Sequence, residues 1–439
     1  MRPLNKKQQL AAIAADKGFT NWPLLVFLFF LPLRNVVMKF FPPLPGGINF
    51  VNVFFVLAFF YCLKTKEKVD WSYPTNKKLL YFILYLFMSM LLMMMMLNTP
   101  ITGAFNTLKD FVFILLLTYI VQKSITRVED VEKILIALIL PMPYVFRLVY
   151  LQYKSVAKWH YSDDLRVNGP MQGLGSNELG AYLVTTTLLL VALVFFFKTR
   201  KKWLRYFTYL ALVLSGTSLT LTYSRGAYLA TILAFLYFYL IKEKKGKLTL
   251  VLVLFTLSLP VIMPVSVVER FSTISSDEED RDASAASRFV FWEAAFEKAQ
   301  QSPIVGYGFL SWRSPEINKT GMDTHNYFVK TIVEGGAVGL FLLLTLIFAN
   351  YKLARYAYKN ATDPTYKAVA LAVLLATLGM MVGNMFGDRF SHYSVVFIYW
   401  TLVGALIKLQ QLCGEQAPTP PAPGKGRNNP GRGNNKRYR

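Results

Sequence analysis

The sequence ELGAYLVTTTLLLVALVFFF, residues 178–197, contains a single charged residue and is followed at once by the basic run KTRKK, residues 198–202. A run of about 20 apolar residues crosses the hydrocarbon core of a bilayer as a helix. A helix is required there because backbone polar groups cannot stay unpaired in lipid. The stretch therefore predicts a transmembrane helix whose C-terminal end lies in the cytoplasm, where basic loop residues concentrate.

Similar apolar runs recur along the whole chain of 439 residues. Apolar residues make up 54% of it and charged residues 17%, below the roughly 25% of soluble domains. These runs predict an all-α fold, a polytopic bundle of about twelve transmembrane helices. Arg34 and Lys39 interrupt the first run, so the sequence leaves open whether it is a true span. The predicted spans cover residues 22–40, 47–63, 79–97, 105–122, 132–151, 178–197, 203–221, 226–241, 248–265, 337–354, 366–384 and 394–412.

Basic residues occur in alternate connections between these runs and in both termini. The positive-inside rule places those loops and termini in the cytoplasm, which accounts for the net charge of +23 without a nucleic-acid partner. The chain then divides into five predicted parts. They are a cytoplasmic segment 1–21, spans 1–9 within 22–263, a large periplasmic loop 264–336, spans 10–12 within 337–412, and a disordered basic tail 413–439.

The predicted periplasmic loop is too long to be a simple connector, which favours a functional element. Its second half has Phe289, Trp292, Phe296 and Ala299 at helical spacing. This spacing predicts an amphipathic helix that lies on the membrane or caps the bundle.

Two residue types in the outward-facing segments could carry chemistry. His325 precedes a predicted helix, and a histidine with a near-neutral pKa is the usual general base, although from its chemistry alone an ordinary loop residue is the more common case. Arg225 lies between two apolar spans, where an arginine is costly and is either functional or an interface anchor. With Arg166 and Arg288 it could bind a diphosphate, because the guanidinium fork matches phosphate oxygens.

Metal and cysteine chemistry are not predicted. The acidic cluster Asp277–Asp282 is local in sequence and is expected to be solvated, so no metal site and no cofactor are expected. Cys62 and Cys413 do not form a ligand-like pair. The other two histidines, His160 and His392, fall on the predicted outer face but in no recognisable motif.

Four pieces of sequence, in order, resemble the O-antigen ligase-like superfamily of membrane glycosyltransferases. They are R-x-x-G followed by a glycine and an asparagine within 166–177, S-R-G-A at 224–227, S-R-x-x-x-W with P-x-x-G-x-G within 287–308, and H-N, E-x-G and G-L within 325–340. That superfamily includes O-antigen ligases, O-antigen and exopolysaccharide polymerases, and bacterial O-linked oligosaccharyltransferases. The resemblance covers about residues 166–340, with only general hydropathy outside it.

The resemblance implies a GT-C type fold and a metal-independent, inverting transfer of a glycan from undecaprenyl diphosphate. It implies an active face on the periplasmic side of a bacterial inner membrane. His325 matches the family's catalytic histidine, and Arg225 and Arg288 match arginines that engage the diphosphate, with Arg166 as a further contact. The supporting residues would be Asn326, Glu334, Asn177 and Trp292.

The motifs do not identify the acceptor. An O-antigen ligase, which transfers the glycan to lipid A–core, is favoured over a polymerase, which transfers it to a growing glycan. An oligosaccharyltransferase is less favoured because its usual C-terminal region is longer. A transporter of lipid-linked glycans is a further alternative, although the candidate polar residues cluster at one membrane face and not at the midplane. A purely structural scaffold would leave the histidine and arginines unexplained.

Overall fold

The computed structural model describes residues 20–41, 49–97, 101–156, 160, 162–246, 249, 265, 269 and 283–413. These residues form helices and connecting turns, and no strand occurs among them, which confirms the all-α class. The helices are α1 Trp22–Phe30, α2 Arg34–Phe40, α3 Phe50–Cys62, α4 Pro74–Leu97, α5 Ile101–Ser124, α6 Val128–Ile139, α7 Met142–Val156, α8 Ser176–Phe196, α9 Lys202–Thr220, α10 Arg225–Ile241, α11 Ala283–Gln301, α12 Tyr327–Asn360, α13 Pro364–Met385 and α14 Tyr393–Leu412.

Eight helical segments within the described residues are long and apolar enough to cross a membrane, so the chain is a multi-pass membrane protein. They correspond to eight of the twelve predicted spans, with α6 and α7 together forming one segment. Two further predictions, 47–63 and 226–241, correspond to the shorter apolar helices α3 and α10. The predicted span 203–221 is helical as α9 but is not among the eight. Most of the predicted span 248–265 lies outside the described residues, as does the acidic cluster 277–282.

The first span contains a break that accommodates its charges. Residues Leu31–Leu33 form a 3-10 turn around Pro32, and Arg34 begins α2 directly after it. The Arg34 guanidinium carbon lies 4.9 Å from the centre of the Tyr393 ring, a cation–π contact that covers the charge. Lys39, by contrast, is exposed. Both charged residues therefore lie after the break. Residues Trp22–Phe40 as a whole remain long and apolar enough to cross a membrane.

The centre of the bundle is formed by α8, α13 and α14, whose side chains are almost all buried within the protein. Small residues let α8 approach α10 closely, because a Cβ added at Gly180 would lie 2.9 Å from the Cβ of Ala227. Some polar groups inside the bundle are paired with each other, as Thr187 and Ser215 are, whose hydroxyl oxygens are 2.8 Å apart. The α8–α10 contact is important for the site, because both helices begin there.

The predicted amphipathic helix is present as α11, which packs against α12. The residues of the predicted apolar face differ in how far the protein itself buries them. Ala299 is buried as expected and Trp292 half-buried, but Phe289 and Phe296 are 53% and 44% exposed. The deeply buried position between them is Ala295, because a small side chain permits close packing of helix on helix.

Candidate active site

A short loop before α12 presents His325. The side chain of Asn326 caps α12 by accepting hydrogen bonds from two backbone amides of its first turn, at 3.0 and 3.2 Å. The hydroxyl of Thr324 donates to the Asn326 carbonyl oxygen at 2.9 Å. The indole Nε1 of Trp292 on α11 donates to the carbonyl oxygen of Thr324 at 2.8 Å. Trp292 and Asn326 thus hold the loop from both sides, and the His325 side chain remains 43% exposed.

The partly buried environment of His325 favours its neutral form. Burial lowers the pKa of His325 below its ordinary value, and the guanidinium groups of Arg288 and Arg389 act in the same direction. Asp323, whose carboxylate oxygen lies 3.8 Å from Nδ1, and Glu178 act to raise the pKa without reversing the shift. A neutral imidazole is able to accept a proton, as a general base must.

Arg389 and Glu178 form a buried ion pair that the sequence did not predict. The Nη1 group of Arg389 donates to a carboxylate oxygen of Glu178, and Nη2 donates to the Phe386 carbonyl oxygen at 3.2 Å. The Asn384 side chain accepts hydrogen bonds from the backbone amides of Arg389 and Phe390, both at 3.0 Å. The connection between α13 and α14 is therefore fixed against the first turn of α8.

Three residues of the predicted motifs meet at Asn177, the position of α8 directly before Glu178. Asn177 Oδ1 accepts hydrogen bonds from Nη2 of Arg166 at 2.8 Å and from the Ser224 hydroxyl at 2.9 Å. Ser224 immediately precedes Arg225, which begins α10. Because Asn177 and Glu178 are neighbours in the chain, the Arg166 network and the Arg389 pair share one helix terminus.

The loop between α13 and α14 also approaches the first turn of α10. A Cβ added at Gly226 would lie 3.0 Å from the Cβ of Phe386, which precedes Arg389 by three residues. This contact places the start of α10, and with it Arg225, beside the same loop. One end of the bundle therefore collects the predicted site residues His325, Arg288, Arg225, Arg166, Asn177, Asn326 and Trp292.

Glu334 occupies a different environment, within α12 and close to a second ion pair. Lys330 Nζ lies 2.5 Å from Asp388 Oδ2, and both side chains are buried. Although burial acts to raise it, the Lys330 ammonium lowers the pKa of Asp388 to about 2. The Glu334 carboxylate is also close to Lys330 and to the backbone amides of Leu310 and Trp312. Glu334 therefore joins α12 to the segment before the His325 loop.

Comparison with known protein families finds a match to part of this site. Residues 210–344 match the family model described as O-antigen ligase. The resemblance to the O-antigen ligase-like superfamily is thereby confirmed. The matched segment contains Arg225, Arg288 and His325, whereas Arg166 and Arg389 lie outside it. An uncharacterized protein of Haemophilus influenzae is 24% identical over 351 residues, which cover 74% of this chain and 82% of that protein.

Within the matched segment, residues 210–344, the P-x-x-G-x-G motif has a structural function. Gly336, with φ 57°, breaks α12 and leaves backbone groups of that helix without helical partners. Residues 303–308 supply the missing hydrogen bonds, all between 2.8 and 3.0 Å. These run from Tyr307 N to Val333 O, Gly308 N to Glu334 O, Ala337 N to Pro303 O, and Val338 N to Ile304 O.

Gly306→Ala is expected to destabilise the protein by more than the cost of placing an alanine in a left-handed backbone conformation. Gly306 has φ 68°, and an added Cβ would lie 2.5 Å from the backbone carbon of Glu334. Gly321 has nearly the same φ, 66°, but no atom within 4 Å of an added Cβ. Gly321→Ala is expected to lower the free energy of unfolding by about 1–2 kcal/mol, and Gly306→Ala by clearly more. Thermal unfolding in detergent measures both, and equal shifts would contradict the docking of residues 303–308 on α12.

The other two histidines differ in their surroundings. His160 is 85% exposed, with Nδ1 2.7 Å from a carboxylate oxygen of Glu269. His392 is largely buried at the start of α14, and burial lowers its pKa, while the nearby charges include those of Asp388 and Arg389. The sequence placed His392 on the outer face without a function, and Arg389 was not predicted. The signal was the short polar run GDRFSH, residues 387–392, between two apolar spans, where charged residues are costly.

Within the part of the chain that the structure describes, no group of three or more His, Cys, Asp or Glu side chains could hold a metal ion. Cys62 and Cys413 are both free thiols. The independence from metal remains a prediction, which a chelation experiment can test.

Proposed function

We propose that the chain transfers a glycan from undecaprenyl diphosphate to an acceptor hydroxyl at the periplasmic face of the inner membrane, as an O-antigen ligase acting on lipid A–core. One observation carries the proposal. His325, whose pKa is lowered by burial, lies among arginines at one end of a membrane bundle. A general base beside several guanidinium groups suits a reaction whose leaving group is a diphosphate.

The proposed reaction is a single displacement. His325 accepts the proton of the acceptor hydroxyl while its oxygen attacks the anomeric carbon of the donor glycan. A new carbon–oxygen bond forms as the bond from the anomeric carbon to the diphosphate breaks, and undecaprenyl diphosphate leaves with the electron pair. Attack from the face opposite the leaving group inverts the anomeric configuration. His325 then returns its proton to solvent.

The arginines have distinct proposed functions. Arg225 and Arg288 stabilise the negative charge that develops on the diphosphate, and Arg166, held by Asn177, contributes a further positive charge. Arg389 is paired with Glu178, so its charge is largely compensated. We therefore assign Arg389 a positioning function, because it joins the loop before α14 to the start of α8.

The acceptor decides between the ligase and a polymerase of the same superfamily. In a deletion strain, loss of all glycan from lipid A–core would support the ligase. A single repeat unit left on lipid A–core would support the polymerase. We expect the first result, restored by the wild-type gene but not by a His325→Ala gene expressed at equal level. Unchanged surface glycans in the deletion strain would contradict both functions.

A further inference from the structure

A cavity of about 310 Å³ with a mixed polar and apolar lining lies next to the candidate active site. It is bounded by the break after α1, the first turns of α5, residues 170–174 and the first turn of α14. None of the motif residues of the proposed transfer reaction lines it. The side chains used below are Arg34, Thr107, Asp110, Gln172, His392 and Tyr393.

The charges that line this cavity are balanced. The guanidinium of Arg34 interacts with the Asp110 carboxylate on one side and covers the Tyr393 ring on the other. Lys109 lies 3.5 Å from Asp110 but does not line the cavity. A diphosphate would require uncompensated positive charge, so the cavity does not suit that part of the donor.

Its hydrogen-bonding groups suit a polyhydroxylated ligand. Planar amide, carboxylate and guanidinium side chains can each bind two neighbouring hydroxyl groups, and Thr107 adds a hydroxyl of its own.

Two chain segments connect the cavity to the candidate active site. Residues 170–174 line the cavity and lead directly into Asn177 and Glu178 at the start of α8. His392 lines the cavity and follows Arg389, the partner of Glu178, by three residues. A ligand in the cavity would therefore lie beside the segments that hold the arginines and within one short loop of the Arg389 pair.

We propose that this cavity binds the sugar of the acceptor, next to the hydroxyl that receives the glycan. The inference rests on the proposed glycan transfer and adds the place where the acceptor is recognised. Asp110 and Arg34 would hold two sugar hydroxyls. The diphosphate of the donor would lie outside the cavity, at the arginines of the motif segments.

The first test measures steady-state transfer by the purified full-length protein, with undecaprenyl-diphosphate-linked glycan as donor and lipid A–core as acceptor. Asp110→Asn is expected to raise the acceptor KM by roughly tenfold, the loss of one charge-assisted hydrogen bond, and to leave the donor KM unchanged. Glu316→Gln removes an exposed acid from the loop before His325 and serves as the matched control. An unchanged acceptor KM for Asp110→Asn in an active protein would overturn the inference.

The second test does not depend on activity. Gln172 is exposed at the mouth of the cavity, so Gln172→Cys in a Cys413→Ser background should react with a maleimide. Core oligosaccharide freed of lipid A should slow that labelling, whereas glycan released from undecaprenyl diphosphate and inorganic pyrophosphate should not. Protection by the released glycan or pyrophosphate alone, or by none of these, would reject the acceptor site. Protection by the core oligosaccharide with no transfer by the wild-type protein would refute the proposed function and keep the cavity assignment.

Discussion

His325→Ala is expected to lower the rate of glycan transfer by about 10²–10⁴-fold, the usual contribution of a positioned general base. The imidazole is partly exposed at the end of a loop that Trp292 and Asn326 fix, so it can reach a substrate without a change in the backbone. Donor binding should persist, because the arginines and not the histidine are proposed to bind the diphosphate. The measurement is transfer in detergent from purified lipid-linked donor, together with binding of that donor.

The control for this variant is His160→Ala. His160 is exposed on the surface, where its ring pairs with Glu269, and its loss should leave turnover near normal. Full turnover by His325→Ala at matched protein level would exclude it as the base. Electrostatic stabilisation of the diphosphate by the arginines would then be the surviving mechanism.

The pH dependence of transfer provides a second measurement on the same residue. Only the neutral imidazole can accept a proton, so activity should be lost as pH falls through the pKa of His325. Burial and the two nearby guanidinium groups lower that pKa, so the midpoint should lie below the ordinary histidine value of about 6.5. A midpoint above that value would show that the carboxylates of Asp323 and Glu178 dominate the environment of the ring.

The sequence predicted the membrane class and nominated candidate site residues because both depend on local information, and the functions of those residues remain predictions. Apolar runs of membrane-spanning length require no knowledge of tertiary contacts, and eight of them recur as helices of that length. His325 and Arg288 were found because they lie in short motifs within the matched segment. The break at Leu31–Leu33 was not predicted, because hydropathy averages over a single 3-10 turn.

Contacts between distant parts of the chain were beyond the reach of a single sequence. Glu178 and Arg389 are separated by 211 residues, and each alone is an ordinary charge next to a span. Which residues of α11 pack on α12 also depends on tertiary contacts, because Ala295 and Ala299 are buried there while Phe289 and Phe296 are exposed. The structural role of Gly306 likewise depends on the break in α12 at Gly336.

Arg288→Ala is expected to lower transfer by about 10²–10³-fold, the range for removing one preorganised group that stabilises developing negative charge. Arg288→Lys should recover only part of the rate, because an ammonium keeps the charge but lacks the fork that binds two phosphate oxygens. Arg313, an exposed arginine in the loop before His325, provides the control, and Arg313→Ala should retain activity. Equal activity of the alanine and wild-type proteins would remove Arg288 from the proposed diphosphate site.

The two Arg288 variants should also differ in their pH profiles, which separates loss of charge from loss of geometry. The Arg288 guanidinium lowers the pKa of His325, so Arg288→Ala should move the acidic limb of the profile to higher pH. Arg288→Lys keeps a positive charge there and should leave that limb close to the wild-type position while the maximal rate stays reduced. A chelator should change neither profile. Transfer that stopped on chelation and returned with a divalent cation would instead assign the diphosphate to a metal ion, and the arginines would then act only on the pKa of His325.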